Sequence, residues 1–172
     1  EYCKQKINPS LSVPAALPKF MVALEMIECL DRFNDIYLET AGYEINHGDC
    51  KRVRKAYFAD MYRVKNRADL HAAQKLGLEE LDAVPKRVPV DPIRVGLVGE
   101  YFTAVDPFSN LHIEDKLQAM GVSLARMMNM TNRNLRYNEK NLRASIGEYA
   151  KYDMGPTSSL TLAAAKRYAE QG

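Results

Sequence analysis

Two apolar periodicities divide this chain of 172 residues. In the first half, apolar side chains recur at three- and four-residue steps: Phe20, Leu24, Ile27, Leu30, Phe33 or Asn34, and Tyr37. That spacing predicts one long amphipathic helix, with Pro18 in its first turn and Gly42 at its end. Gly48 and Asp49 offer a turn and an N-cap for a second long helix. Its stripe runs through Val53, Tyr57, Met61, Val64, Ala68 and Ala72 to a stop at Gly77. A short helical piece over 78–84 leads into "PKRVPVDP", where closely spaced prolines demand an extended connector.

Beyond the connector the pattern changes. Ile93, Val95, Leu97 and Val98, interleaved with Gly96 and Gly99, read as a buried strand of a parallel sheet. Asn110 can cap a helix starting at Leu111, with Ile113, Leu117 and Met120 apolar and Gly121 as its stop. "VSLARMM", residues 122–128, then reads as a second strand, which makes a β-α-β unit. Helical patterns resume over about 132–149 and 158–170.

The expected fold class is α/β, with a helical region over 1–84, a proline-rich connector over 85–92 and the start of a parallel α/β domain over 93–172. Two strands cannot bury both faces of a doubly wound sheet, which usually wants four or five. A fragment, or a chain that borrows strands from a partner in an oligomer, is therefore expected. The first residue, Glu1, in place of an initiator Met points the same way.

Composition narrows the function classes. Net charge is +2, from 24 Lys and Arg against 22 Asp and Glu, so no general affinity for nucleic acid is expected. The basic run Lys51, Arg52, Arg54 and Lys55 reads as the solvated face of a helix. No stretch approaches the roughly 20 apolar residues of a membrane span, and no signal-peptide pattern is read. Cys3, Cys29 and Cys50 are widely spaced and odd in number, which argues for a reducing compartment and gives no local metal signature. Cys29 reads as a small core residue; Cys50 falls in a first helical turn, where a helix dipole favours the thiolate, but its leading reading is an unremarkable thiol. His47, His71 and His112 are not spaced as metal ligands and read as structural.

The candidate chemistry lies in the loop over 99–110, since ligands of open α/β sheets collect outside the carboxyl ends of the strands. Gly99 permits close backbone approach, and Glu100 is a carboxylate at the rim of the expected cleft. Asp106 and Pro107 start a turn. Asn110 at a helix N-terminus would leave N–H groups for an anion. The competing structural reading is that Gly99 ends the strand while Glu100, Asp106 and Asn110 serve only local pairs and caps. No GxGxxG spacing and no P-loop lysine is present, which disfavours a generic nucleotide-binding domain.

The stretch "VGLVGEYFTAVDPFSNLHIEDKLQAMGV" closely resembles a segment of the 2-hydroxyacyl-CoA dehydratase and acyl-CoA dehydratase activase-related proteins. The residues that carry the likeness are Gly99, Glu100, Tyr101, Asp106, Pro107, Phe108, Asn110, Glu114, Leu117, Gly121 and Val122. It is good over 93–125, weaker over 145–172 and only general over the helical first half. The resemblance implies a cytoplasmic protein of anaerobic metabolism, built from flavodoxin-like α/β domains with added helices. Relatives of that family hold an iron–sulfur cluster through cysteines and dehydrate 2-hydroxyacyl-CoA, with an ATP-dependent activase supplying the electron. The cysteines present here match no cluster motif, so an iron–sulfur cluster is implied for a full-length protein but unsupported by these residues. The expected site has Glu100 as its catalytic or polar contact, Tyr101 and Phe108 as apolar wall, and Gly99, Asp106 and Asn110 shaping the loop. It would face an acyl-CoA or an activase or dehydratase partner subunit. The alternative is a non-catalytic α/β protein that binds a partner or a cluster carrier, with the helical half as docking surface.

Overall fold

The computed structural model describes residues 12–152 and 154–171, so the reading of Cys3 lies outside the described residues. Helix α1, Val13–Thr40, carries the first apolar stripe. It begins earlier than expected: Pro14 occupies the first turn, where its missing N–H costs nothing, and Pro18 lies inside the helix. Only the second half of the stripe is deeply buried, at Phe33, Tyr37 and Leu38, while Leu17 and Phe20 stay exposed. A 3-10 turn over Ala41–Tyr43 ends the helix. Gly42 lies against the second half of the chain, where a Cβ would overlap the Val122 carbonyl.

The expected helix over 49–77 is two helices, α2 (Asp49–Met61) and α3 (Arg67–Ala83). The break is dictated by side chains that out-compete the helical backbone. Asn66 Oδ1 accepts from the Asp69 N–H at 2.9 Å, and Asp69 Oδ2 accepts from the Lys65 N–H at 3.1 Å. Gly77 does not end a helix. It is buried within α3 against the Tyr57 ring, which stacks on Phe33 with centroids 4.0 Å apart and donates its hydroxyl to Gln74. The start of α2 is capped at a distance by Glu44, whose Oε2 accepts from the Cys50 N–H at 2.7 Å. The basic run lies on α2 largely in solvent, with Arg54 turned back over the Tyr37 ring at 4.7 Å.

The connector over 85–92 is extended, as its prolines require, and Arg87 N–H donates to the Tyr43 carbonyl at 2.8 Å. Strands β1 (Arg94–Gly96) and β2 (Ser123–Ala125) then pair in parallel, Val95 opposite Leu124. The first is not the buried strand expected: Ile93 and Val98 are exposed and Val95 half-buried, since a two-stranded sheet covers little of either face. Between them lie a short helix α4 (Tyr101–Val105), which apolar periodicity does not reveal, and α5 (Ile113–Ala119). The expected helix over 132–149 is broken into a π-turn at Thr131–Leu135, α6 at Glu139–Ile146 and a 3-10 turn. Helix α7, Gly155–Gln171, closes the described chain. The molecule is thus a helix-rich α/β structure with a two-stranded parallel sheet among the described residues. Its core is continuous across the connector: Val122 and Leu124 cluster with Phe33, Tyr37, Leu38, Leu70 and Leu81.

Candidate functional site

At the carboxyl end of β1 the chain turns at Gly99, whose carbonyl accepts from Thr161 Oγ1 of α7 at 2.6 Å. Glu100 then caps α4. Its backbone is extended, and Oε2 accepts from the Thr103 N–H at 3.2 Å. Tyr101 is half-buried and points its hydroxyl at Met130 Sδ, 3.7 Å away, just beyond β2. Burial pushes its phenol pKa up. Asp106 Oδ2 accepts from the N–H and the hydroxyl of Ser109 at 2.7 and 2.6 Å, and those bonds hold its carboxyl below the usual range. Phe108 is exposed.

Asn110 Oδ1 accepts from the Ile113 N–H at 3.3 Å, ahead of a start at Ile113, two residues later than expected. The delay comes from Leu111 and His112, both left-handed at φ 56° and 55°. The anion seat expected after Asn110 is not formed. The N–H groups of Leu111, His112 and Ile113 are taken by the carbonyls of Phe108, Pro107 and Asn110, and Glu114 and Asp115 bring negative charge to the turn.

The end of β2 supplies what the loop lacks, namely buried charge. Arg126 is 8% exposed and donates from Nη1 to the Ala104 carbonyl at 2.9 Å and to Glu114 Oε1 at 2.6 Å. It thereby ties α4 and α5 to the sheet. Burial raises the Glu114 carboxyl pKa, against the pull of Arg126. Further along, the Thr131 N–H donates to Asp31 Oδ2 at 2.6 Å, and Asn129 Nδ2 donates to Asp35 Oδ1 at 3.5 Å. Both acids sit on α1, four residues apart and therefore on one face. Asp35 is pushed up to about 6, by burial first and by the neighbouring Asp31 second.

Two cavities meet at Asp35 and Asn132. The larger, about 660 Å³, lies over the sheet and is lined by Asp35 and Glu39 of α1, residues of both strands, Arg126, and Arg167 and Tyr168 of α7. The smaller, about 420 Å³, is lined by Glu25, Glu28, Asp31, Gln74, Thr131 and Arg136 among others. None of Gly99, Glu100, Tyr101, Asp106, Phe108 or Asn110 lines either cavity. The loop is joined to the larger cavity through Arg126, which lines it and donates to the Ala104 carbonyl.

Among the described residues, Cys29 and Cys50 do not form a cluster site. Cys50 is buried at the head of α2, with its thiol pushed up to about 12 by burial and by Glu44. Cys29, on α1, is raised by burial as well. Among the described residues no group of three or more His, Cys, Asp and Glu side chains is placed to hold a metal ion. His71 Nε2 lies 2.7 Å from Glu25 Oε1, and His47 and His112 lie near Glu44 and Asp115 on the surface. No helix among the described residues is long and apolar enough to cross a membrane. Comparison with family models, with curated proteins and with solved structures returned no match.

Proposed function

We propose that this chain is a component of, or a relative of a component of, a 2-hydroxyacyl-CoA dehydratase system. In this reading the loop over 99–110 forms one wall of a cleft for an acyl-CoA or for a partner subunit. One observation carries it. The segment that resembles the family folds as a parallel β-α-β unit, and its loop stands at the carboxyl end of β1 beside the end of β2. That edge is where open α/β sheets take their ligands. The fold proposed for the whole unit is flavodoxin-like, with β1 and β2 as two of its strands. The same reading makes the protein cytoplasmic and oligomeric, and it assigns any iron–sulfur cluster to residues other than Cys29 and Cys50.

Glu100 is the polar contact of this cleft. Its carboxylate is exposed and makes one bond, the cap to Thr103, so an oxygen remains for a ligand donor. Thermal unfolding with and without 2-hydroxyglutaryl-CoA tests the reading. The wild-type midpoint rises with ligand, and Glu100→Ala abolishes that rise relative to its own unliganded midpoint. No rise with wild type overturns the acyl-CoA cleft, as does an equal rise in the variant.

A further inference from the structure

The 660 Å³ cavity has features that the loop reading does not use. Its floor is the face of the sheet that carries Arg94 and Gly96 of β1 opposite Ser123 and Ala125 of β2. Three of those four side chains are very small, so the space above the strands stays open. At Gly96 it is limited by Tyr168, whose ring a Cβ would overlap. Asp35 and Glu39 form the α1 wall, and Arg167 and Gln171 the α7 wall.

Three arginines face this space, and their partners are uneven. Arg126 is more than nine-tenths buried. Its Nη1 is bonded to Glu114 and Ala104, yet its buried Nε–H has no partner. Arg94 and Arg167 are exposed, and among the described residues neither lies within ion-pair distance of a carboxylate, although Asp35 and Glu39 share the cavity.

We infer that the cavity between α1, the sheet face and α7 binds a phosphorylated, hydroxyl-bearing small molecule, with phosphate held by Arg94 and Arg167. The guanidinium fork matches phosphate oxygens in pairs. Asp35 and Glu39 accept from ligand hydroxyls. The volume lies inside the range of roughly 300–1,000 Å³ that small-molecule sites occupy. No glycine loop is needed, because side chains supply the positive charge that such loops take from backbone N–H groups.

The test is calorimetric titration with ADP and with inorganic pyrophosphate, at constant ionic strength. ADP binding in wild type, weakened about tenfold in each of Arg94→Gln and Arg167→Gln, supports the site; tenfold is about the worth of one charge-assisted hydrogen bond. Both residues are exposed, so the variants keep the wild-type unliganded melting point. Pyrophosphate binding with the same arginine dependence but weaker than ADP adds that the hydroxyl-bearing part is also held. No binding of either compound overturns the inference, as does binding indifferent to both substitutions. Glu100→Ala should leave ADP binding unchanged. Loss of ADP binding in that variant overturns the inference in favour of the loop, so this proposal and the acyl-CoA reading fail separately.

Discussion

Asp35 is the described carboxylate whose chemistry departs furthest from that of a solvated side chain of its type. The fold disfavours its ionised form, through burial and the nearby Asp31, against the support of Asn129 and Arg126. The folded-state pKa is about 6, above the unfolded value of roughly 3.9. Below the unfolded value both states are protonated and the fold loses nothing. As pH rises through that window the unfolded chain ionises first, and the penalty is complete above the folded pKa. Asp35→Asn is therefore expected to melt higher than wild type at about pH 7.5 and to match it near pH 4. A difference of equal size at both pH values would show that Asp35 does not titrate in this way.

The sequence drew attention elsewhere, to Glu100, Asp106 and Asn110, because carboxylates and amides in a loop after an apolar strand are conspicuous. Each turned out to make a local cap. Two signals for the cavities were nevertheless present. Glu25, Glu28, Asp31, Asp35 and Glu39 recur at three- and four-residue steps, on a face of α1 beside the apolar stripe. Arg126 interrupts the apolar run "VSLARMM", and a charge in a buried strand needs a partner. Neither signal says which distant residue completes the pair; Glu114, Asn129 and Thr131 became visible only with the fold.

At the scale of elements, glycine was where the sequence misled most. Gly77 lies in helical periodicity and reads as a stop, but α3 runs through it to Ala83. Its job is contact: the missing Cβ makes room for the Tyr57 ring, which stacks on Phe33 of α1. Replacing Gly by Ala in an exposed helix interior gains about 1 kcal/mol from propensity. Here overpacking costs typically 1–3 kcal/mol, so Gly77→Ala is expected to lower stability in urea denaturation. A raised midpoint would mean that Tyr57 moves aside freely.

The helices over the first half and the parallel pair were legible, since 3.6-residue stripes and apolar runs near prolines are strong local patterns. The break between α2 and α3 was not, because Asn66 and Asp69 sit in a stripe that Val64 and Ala68 carry past them. Helix α4 was missed for a different reason. Its five residues bury none of their side chains fully, so there is no periodicity to read.

For the whole molecule, the connector over 85–92 separates two regions along the chain while the core joins them in space. Val122 and Leu124 pack with α1, and Gly42 lets the backbones of the two regions touch. A sequence shows composition changing at "PKRVPVDP", but not that the strand beyond it returns to a helix some ninety residues earlier. If that shared core dominates stability, Leu124→Ala acts on both regions at once. Leu124 is 1% exposed, and truncating such a leucine costs roughly 2–5 kcal/mol. Hydrogen exchange separates the alternatives. One cooperative unit requires the amides of α1 and α3 to lose as much protection as those of β1. Two independent units would leave α1 and α3 at wild-type protection while the sheet opens. The first outcome also bears on the cavity over the sheet, since its α1 wall and its strand floor would then open together, and a ligand held between them would stabilise the whole chain by mass action.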